Sequence, residues 1–166
     1  MSVILRKPTE SDCSAIEDMV HEFELEQSAH DGGFWQEGHF DYNTWLEESR
    51  RAETKPLHEG FVRAIQYVLF DENSQAVGFA NLRLELNDYL HEQGGHIGYS
   101  VRPSQRGRGY AKELLHQALE YAFAHGIQPV LVTCHENNAP SRAVILSQGG
   151  ILEDVRDGVE RYWIGK

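Results

Sequence analysis

The chain has 166 residues, with 15 Lys+Arg against 26 Asp+Glu and a formal charge of −11. That length holds one domain, 1–166, with a sizeable core. The charge repels a phosphate backbone, which excludes nucleic acid as first partner and suits a cationic one.

Two cysteines, Cys13 and Cys134, are too few for a disulfide-held secreted domain. Arg6 and Lys7 follow the short apolar start instead of preceding it, unlike a signal peptide. No apolar run approaches a membrane span. The expectation is a cytoplasmic protein with no membrane partner.

In chain order, Val3-Ile4-Leu5 reads as a strand stopped by Pro8. Thr9-Glu10-Ser11-Asp12 reads as a capping box. Cys13, Ile16, Val20 and Phe23 then recur at helical spacing until Asp31-Gly32-Gly33 breaks the helix. Between Phe34 and Gly60, Tyr42, Trp45 and Leu46 mark a short second helix, read as a substrate lid or as a plain insertion.

From Ala64 the period changes to two, with Ile65, Tyr67 and Leu69 on one face. A turn at Asp71–Ser74 returns the chain along Ala76–Leu86, giving an antiparallel hairpin. A loop at Tyr89–Gly95 leads to a strand at Ile97–Val101. The helix after Gly109 carries an unbroken apolar face, from Ala111 and Leu114 to Ala122 and Phe123, and Gly126 closes it. Pro129–Val132 reads as a strand buried on both faces. Strand, helix, strand implies a parallel pair. Asn137 or Asn138 caps a further helix, and Asp157-Gly158 joins two final strands as a hairpin. The fold class is α+β with a mixed, mostly antiparallel sheet flanked by helices.

The loop entering the long helix carries the functional reading. Gly107 and Gly109 permit backbone angles closed to other residues and put no Cβ before a ligand. The first amides of a helix have no intrahelical partner and sit at its positive end, an anion site for phosphate or pyrophosphate. Arg106 and Arg108 add charge in an acidic chain. The nucleotide P-loop is absent, and Lys112 stands where a dinucleotide fingerprint needs Gly or Ala.

Arg106-Gly107-Arg108-Gly109-Tyr110-Ala111 resembles the acyl-CoA loop of the GCN5-related N-acetyltransferases (GNAT): Gln or Arg, two residues, Gly, one residue, Gly or Ala. The preceding strand Ile97–Val101 with Pro103, and the spacing of Asn138, Ser141 and Gly149, extend the likeness over about residues 95–150. The resemblance implies a single-domain GNAT-like fold with a splayed parallel pair at the acyl-CoA site. It implies acetyl-CoA as cosubstrate and transfer to a primary amine of a small molecule or peptide. Backbone groups of Tyr99 and Val101 would pair with the pantetheine arm. Amides from Arg106 to Ala111 would hold the pyrophosphate. Asn138 would contact the pantetheine, with Ser141 nearby. The family's usual acid, a tyrosine seven residues after the Asn, is Ile145 here. That departure keeps open a non-catalytic acyl-CoA-binding domain.

Acyl transfer to an amine needs a base. His96, beginning the strand that ends at the loop, is the first candidate, because His titrates near neutrality. A hydrogen-bonded strand end is its alternative role. Glu85, Asp88 and Glu92 are further candidates. Tyr162 is a substitute acid or a packing residue. Cys134 and His135 point to opposite faces of a strand, so a nucleophilic pair is disfavoured against a packed thiol. His91-Glu92-Gln93-Gly94-Gly95-His96 misses the zinc motif by one residue, so no metal is expected. A homodimer through the final strands is compatible with the sequence.

Overall fold

The computed structural model describes residues 2–166, and among them seven strands form two antiparallel sheets. The first has the order β1-β2-β3-β4, with β1 Ile4–Arg6, β2 Ala64–Phe70, β3 Ala76–Arg83 and β4 Ile97–Val101. The second has the order β5-β7-β6, with β5 Val130–His135, β6 Ile151–Arg156 and β7 Val159–Ile164.

The central strands β2 and β3 are buried along nearly their whole length because both faces are covered. On one face α1 (Cys13–Leu25) and α2 (Tyr42–Arg51) bury Ile16, Met19, Phe23, Trp45 and Leu46 against Val68 and Phe79. On the other, α4 (Tyr110–Ala124) lays Leu114, Leu115, Ala118, Leu119 and Ala122 on Ile65, Tyr67, Leu69 and Leu82. Each fully buried Leu of that face contributes about 1.5–3 kcal/mol. α4 sits so close that a Cβ at Gly78 would meet Leu114 at 2.8 Å.

Two sequence expectations are corrected. β3 ends at Arg83 rather than Leu86. The expected loop after it instead holds a short helix, α3 (Asp88–Glu92), because the Asn87 side chain caps it by accepting from the Leu90 amide. As the resemblance implies, β4 and β5 are splayed and form no ladder with each other. They meet where the His96 amide donates to Leu131 O at 2.8 Å and the Leu131 amide donates to His96 Nδ1 at 2.9 Å. Past that stitch the strands part, leaving a gap bounded by β4, β5 and α5 (Ala139–Ser147).

Arg102 fixes the end of β4. Its guanidinium, 5 % exposed, reaches Glu22 (2.8 Å) and Asp18 (2.7 Å) of α1 and the carbonyl of Ala76 (3.1 Å). Glu22 also accepts from the Ser104 amide at 2.7 Å, so α1 holds the start of the glycine loop. Breaking a fully buried ion pair costs about 3–5 kcal/mol. Asp18 reaches solvent, so Arg102→Met is expected to lower unfolding stability by about 2 kcal/mol. Chemical denaturation checks this.

Candidate functional site

The loop before α4 has the geometry its sequence implies. A short 3-10 turn over Pro103–Gln105 ends at Arg106, and Gly107 and Gly109 follow with φ of +77° and +84°. A Cβ on Gly107 would meet nothing within 4 Å, so glycine is required there by the backbone angle and not by packing. The amides of Gly107, Arg108, Gly109, Tyr110, Ala111 and Lys112 make no well-formed hydrogen bond among the described residues. Such a run at a helix N-terminus is unsatisfied unless water or an anion supplies the acceptors.

The two arginines divide their labour. Arg108 is exposed, with no ion pair among the described residues. Arg106 is turned back: Nε donates to Val101 O at 3.0 Å and Nη2 to Ser28 Oγ at 2.7 Å. Its guanidinium therefore braces the loop instead of lying before it, and it occupies the Val101 carbonyl assigned by resemblance to pantetheine.

Along β4 the pairing has a fixed parity. His96 accepts from the Arg83 amide and the Arg102 amide donates to Val77 O. In that register Gly98 and Ser100 face β3, so Tyr99 and Val101 direct backbone groups toward the gap. The Tyr99 hydroxyl crosses it to Ser141 Oγ at 3.1 Å. Burial pushes the Tyr99 pKa up to about 12, so the phenol stays protonated. Asn138 caps α5, its Oδ1 accepting from the Ser141 amide at 3.2 Å. Tyr99, Ser141 and the end of β5 thus lie together.

Ile145 is completely buried in the core, one turn beyond Ser141 on the same face of α5. Tyr162 is also buried, and its hydroxyl donates to Glu160 at 3.0 Å. The Cys134 thiol points to the same carboxylate at 3.6 Å. Burial first, then Glu160, push its pKa up to about 11, so it is an inert, packed thiol.

His96 is buried at the stitch, and its geometry does not equip it as a base. Nδ1 already accepts from Leu131, which fixes the proton on Nε2 and leaves no free lone pair. Burial, and then the charge of Arg83, push its pKa down to about 4. A folded-state value below the ordinary one means that the unfolded chain binds more protons between about pH 6.5 and 4, so stability falls as pH falls through that window. His96→Asn should keep an acceptor for the Leu131 amide, flatten that part of the pH–stability curve and retain most turnover. Calorimetric melts at pH 4.5 and 7, with rates alongside, check both.

The carboxylates proposed beside His96 are elsewhere. Glu85 pairs with Arg63 at 2.6 Å and Glu92 with Arg156 at 2.7 Å, both at the surface. Asp88 occupies the first turn of α3.

Across β4 from the gap, the face of Gly98 and Ser100 is roofed by the loop after α1. Ser100 Oγ donates to Asp31 O at 2.7 Å. Gly32, with φ +80°, packs so tightly that a Cβ would meet Gly98 O at 2.3 Å. Two cavities open here. One of about 720 Å³ is lined by Asp31, Glu24, Glu37 and Arg83. One of about 300 Å³ is lined by Phe34, Trp45, Phe61, Asn81 and Arg83. The Asp31 carboxylate acts electrostatically on both Arg83 and Tyr99. In the sequence Asp31-Gly32-Gly33 reads as a helix stop only, and the carboxylate between a helix and a double glycine is the one signal it offers. Arg83 gave none, since a strand-end arginine is ordinarily a solvated one.

Comparison with known proteins agrees with this arrangement. The acetyltransferase (GNAT) domain family matches residues 2–150. A search of curated proteins found no match in sequence. Among solved structures, yncA of Salmonella typhimurium, with its cofactor acetyl-CoA, is similar at 18 % identity and TM-score 0.63, over 99 % of this chain and 94 % of that one. RimL, an alpha-N-acetyltransferase of a ribosomal protein, in complex with coenzyme A, is similar at 22 % and 0.67, over 99 % and 94 %. Spermidine N-acetyltransferase from Vibrio cholerae, in complex with CoA and spermine, is similar at 18 % and 0.64, over 98 % and 95 %. With a family match over nine-tenths of its length and the glycine loop, helix and gap in the corresponding order, the chain belongs to the GNAT acetyltransferase family.

Proposed function

We propose that the protein transfers the acetyl group of acetyl-CoA to a primary amine of a small molecule or peptide, directly and within a ternary complex. The observation that carries this is the run of free amides from Gly107 to Lys112 at the mouth of the β4–β5 gap. The structural neighbours solved with acetyl-CoA or CoA support the choice of carrier.

Each residue then has a task. The amides and Arg108 receive the pyrophosphate. Backbone groups of Tyr99 and the Val101 amide pair with the pantetheine arm, as an added strand would. Asn138 and Ser141 border it. The thioester carbonyl comes to lie by the free N–H groups of β4, which stabilise the oxyanion.

The amine reaches the carbonyl from the cavity side. Its nitrogen bonds to carbon, the ammonium proton passes to Asp31 directly or through water, and the C–S bond breaks. Tyr99 is too weak an acid to yield its proton fully to a thiolate, whose free thiol has a pKa of roughly 8.5. It instead donates a hydrogen bond to the leaving sulfur. His96 positions β4 against β5. One neutral hydrogen bond is worth about 1 kcal/mol, so Tyr99→Phe should lower kcat by roughly fivefold and leave acetyl-CoA affinity unchanged.

Incubation with acetyl-CoA and a panel of amino acids, polyamines, aminoglycosides and peptides, following free thiol, tests the activity. Acceptor-dependent thiol release supports it. CoA binding with no release from any acceptor would favour a non-catalytic acyl-CoA-binding domain, which the burial of Ile145 at the family's tyrosine position keeps in view.

A further inference from the structure

Eight of the eleven arginines hold a carboxylate within ion-pair distance. The three that do not, among the described residues, are Arg106 and Arg108 at the glycine loop and Arg83. Arg83 ends β3 and lines both cavities on the acceptor face. Its Nη1 donates only to Gly94 O, at 3.2 Å. Its guanidinium lies over Gly98, where a Cβ would meet Nη2 at 2.8 Å. A cation in that position, with most of its donors unspent, calls for an anion from outside the chain.

Asp31 lines the larger cavity with Arg83 and forms no ion pair with it. Two opposite charges that line one cavity without pairing can each engage a ligand carrying both. The smaller cavity adds the third feature. At about 300 Å³ it is at the low end for small-molecule sites, which run from roughly 300 to 1,000 Å³. Phe34, Trp45, Leu57, Phe61, Val62 and Leu90 give it an apolar wall. Phe34 and Phe61 meet edge to face at 5.6 Å. Phe34 holds φ +69°, a left-handed angle that a bulky residue adopts only where its surroundings enforce it.

We propose, on the acetyltransferase reading above, that the acceptor is a free α-amino acid with an aromatic or large aliphatic side chain: its carboxylate on Arg83, its amine between Asp31 and β4, and its side chain in the smaller cavity. A polyamine would bring a second cation to Arg83. A peptide N-terminus has no carboxylate next to its amine. Both are disfavoured acceptors.

The test compares phenylalanine and leucine with phenethylamine, phenylalaninamide and spermidine, at saturating acetyl-CoA. The expected kcat/KM is at least about 100-fold higher for the two amino acids, as for a site built around a ligand's polar group. Arg83→Met should collapse that ratio, and Arg83→Lys should retain part of it. Acetyl-CoA affinity should be unchanged in both, which also reports that they fold. A binding measurement needs no turnover: N-acetylphenylalanine should bind the CoA-loaded protein at least tenfold more tightly than N-acetylphenethylamine. Equal use of phenethylamine or spermidine, equal binding of the two products, or a ratio untouched by Arg83→Met would overturn this proposal and leave acetyl transfer standing. Failure to bind acetyl-CoA would overturn both.

Discussion

Replacing Gly109 by Glu should raise the Kd for acetyl-CoA by at least about 100-fold while the unliganded protein stays folded. Gly109 caps α4 with φ +84°. An L residue in that region costs roughly 1–2 kcal/mol, which moves the melting point by only a few degrees in a chain of this size. Binding suffers more. The new carboxylate stands among the amides from Gly107 to Lys112, where it competes for the same donors and repels the pyrophosphate. A 100-fold loss corresponds to about 2.8 kcal/mol, which repulsion plus blocked donors supplies. Gly109→Ala carries the backbone strain without the charge, so it should lose less than tenfold. Isothermal titration of the three proteins, with melts alongside, separates the effects.

Asp31→Asn should lower kcat/KM by about 10²–10⁴-fold, the usual contribution of a positioned base, with acetyl-CoA affinity unchanged. The substitution is nearly isosteric. It leaves in place the backbone carbonyl that Ser100 grips at 2.7 Å, so the roof over β4 stays seated. Stopped-time thiol assays on purified protein give the ratio. The contrast with His96→Asn is the informative one. That residue's lone pair is taken by the Leu131 amide at 2.9 Å, so its replacement should change the pH dependence of stability while Asp31→Asn costs rate. A rate collapse in His96→Asn with full activity in Asp31→Asn would reverse the assignment.

Much of this fold could be read before the structure because its signals are local. The period of two from Ala64, the apolar face of α4 and the Asp157-Gly158 hairpin each depend on residues within one element. The glycine loop was legible for the same reason: positive φ and free amides follow from residue type and from the start of a helix. What was hidden depends on residues far apart in sequence. Arg83 and Gly98 meet only once β3 pairs with β4, and the loop of Asp31 lies beside them because Gly32 packs against the Gly98 carbonyl. His96 reads as a base from its place before β4; its true neighbour, Leu131, lies 35 residues on. The acidic net charge points to a cationic partner, and the larger cavity does carry Glu24, Asp31 and Glu37, but it also carries Arg83 without an ion pair. Net charge sums the surface and says nothing of which charge stands over β4.

The most direct measurement is a crystal structure of the acetyl-CoA complex. The account predicts pyrophosphate oxygens within about 3 Å of several amide nitrogens between Gly107 and Lys112, the usual hydrogen-bond range, with the thioester between β4 and α5 beside Tyr99. Acetyl-CoA bound elsewhere, with those six amides still facing only solvent, would contradict it.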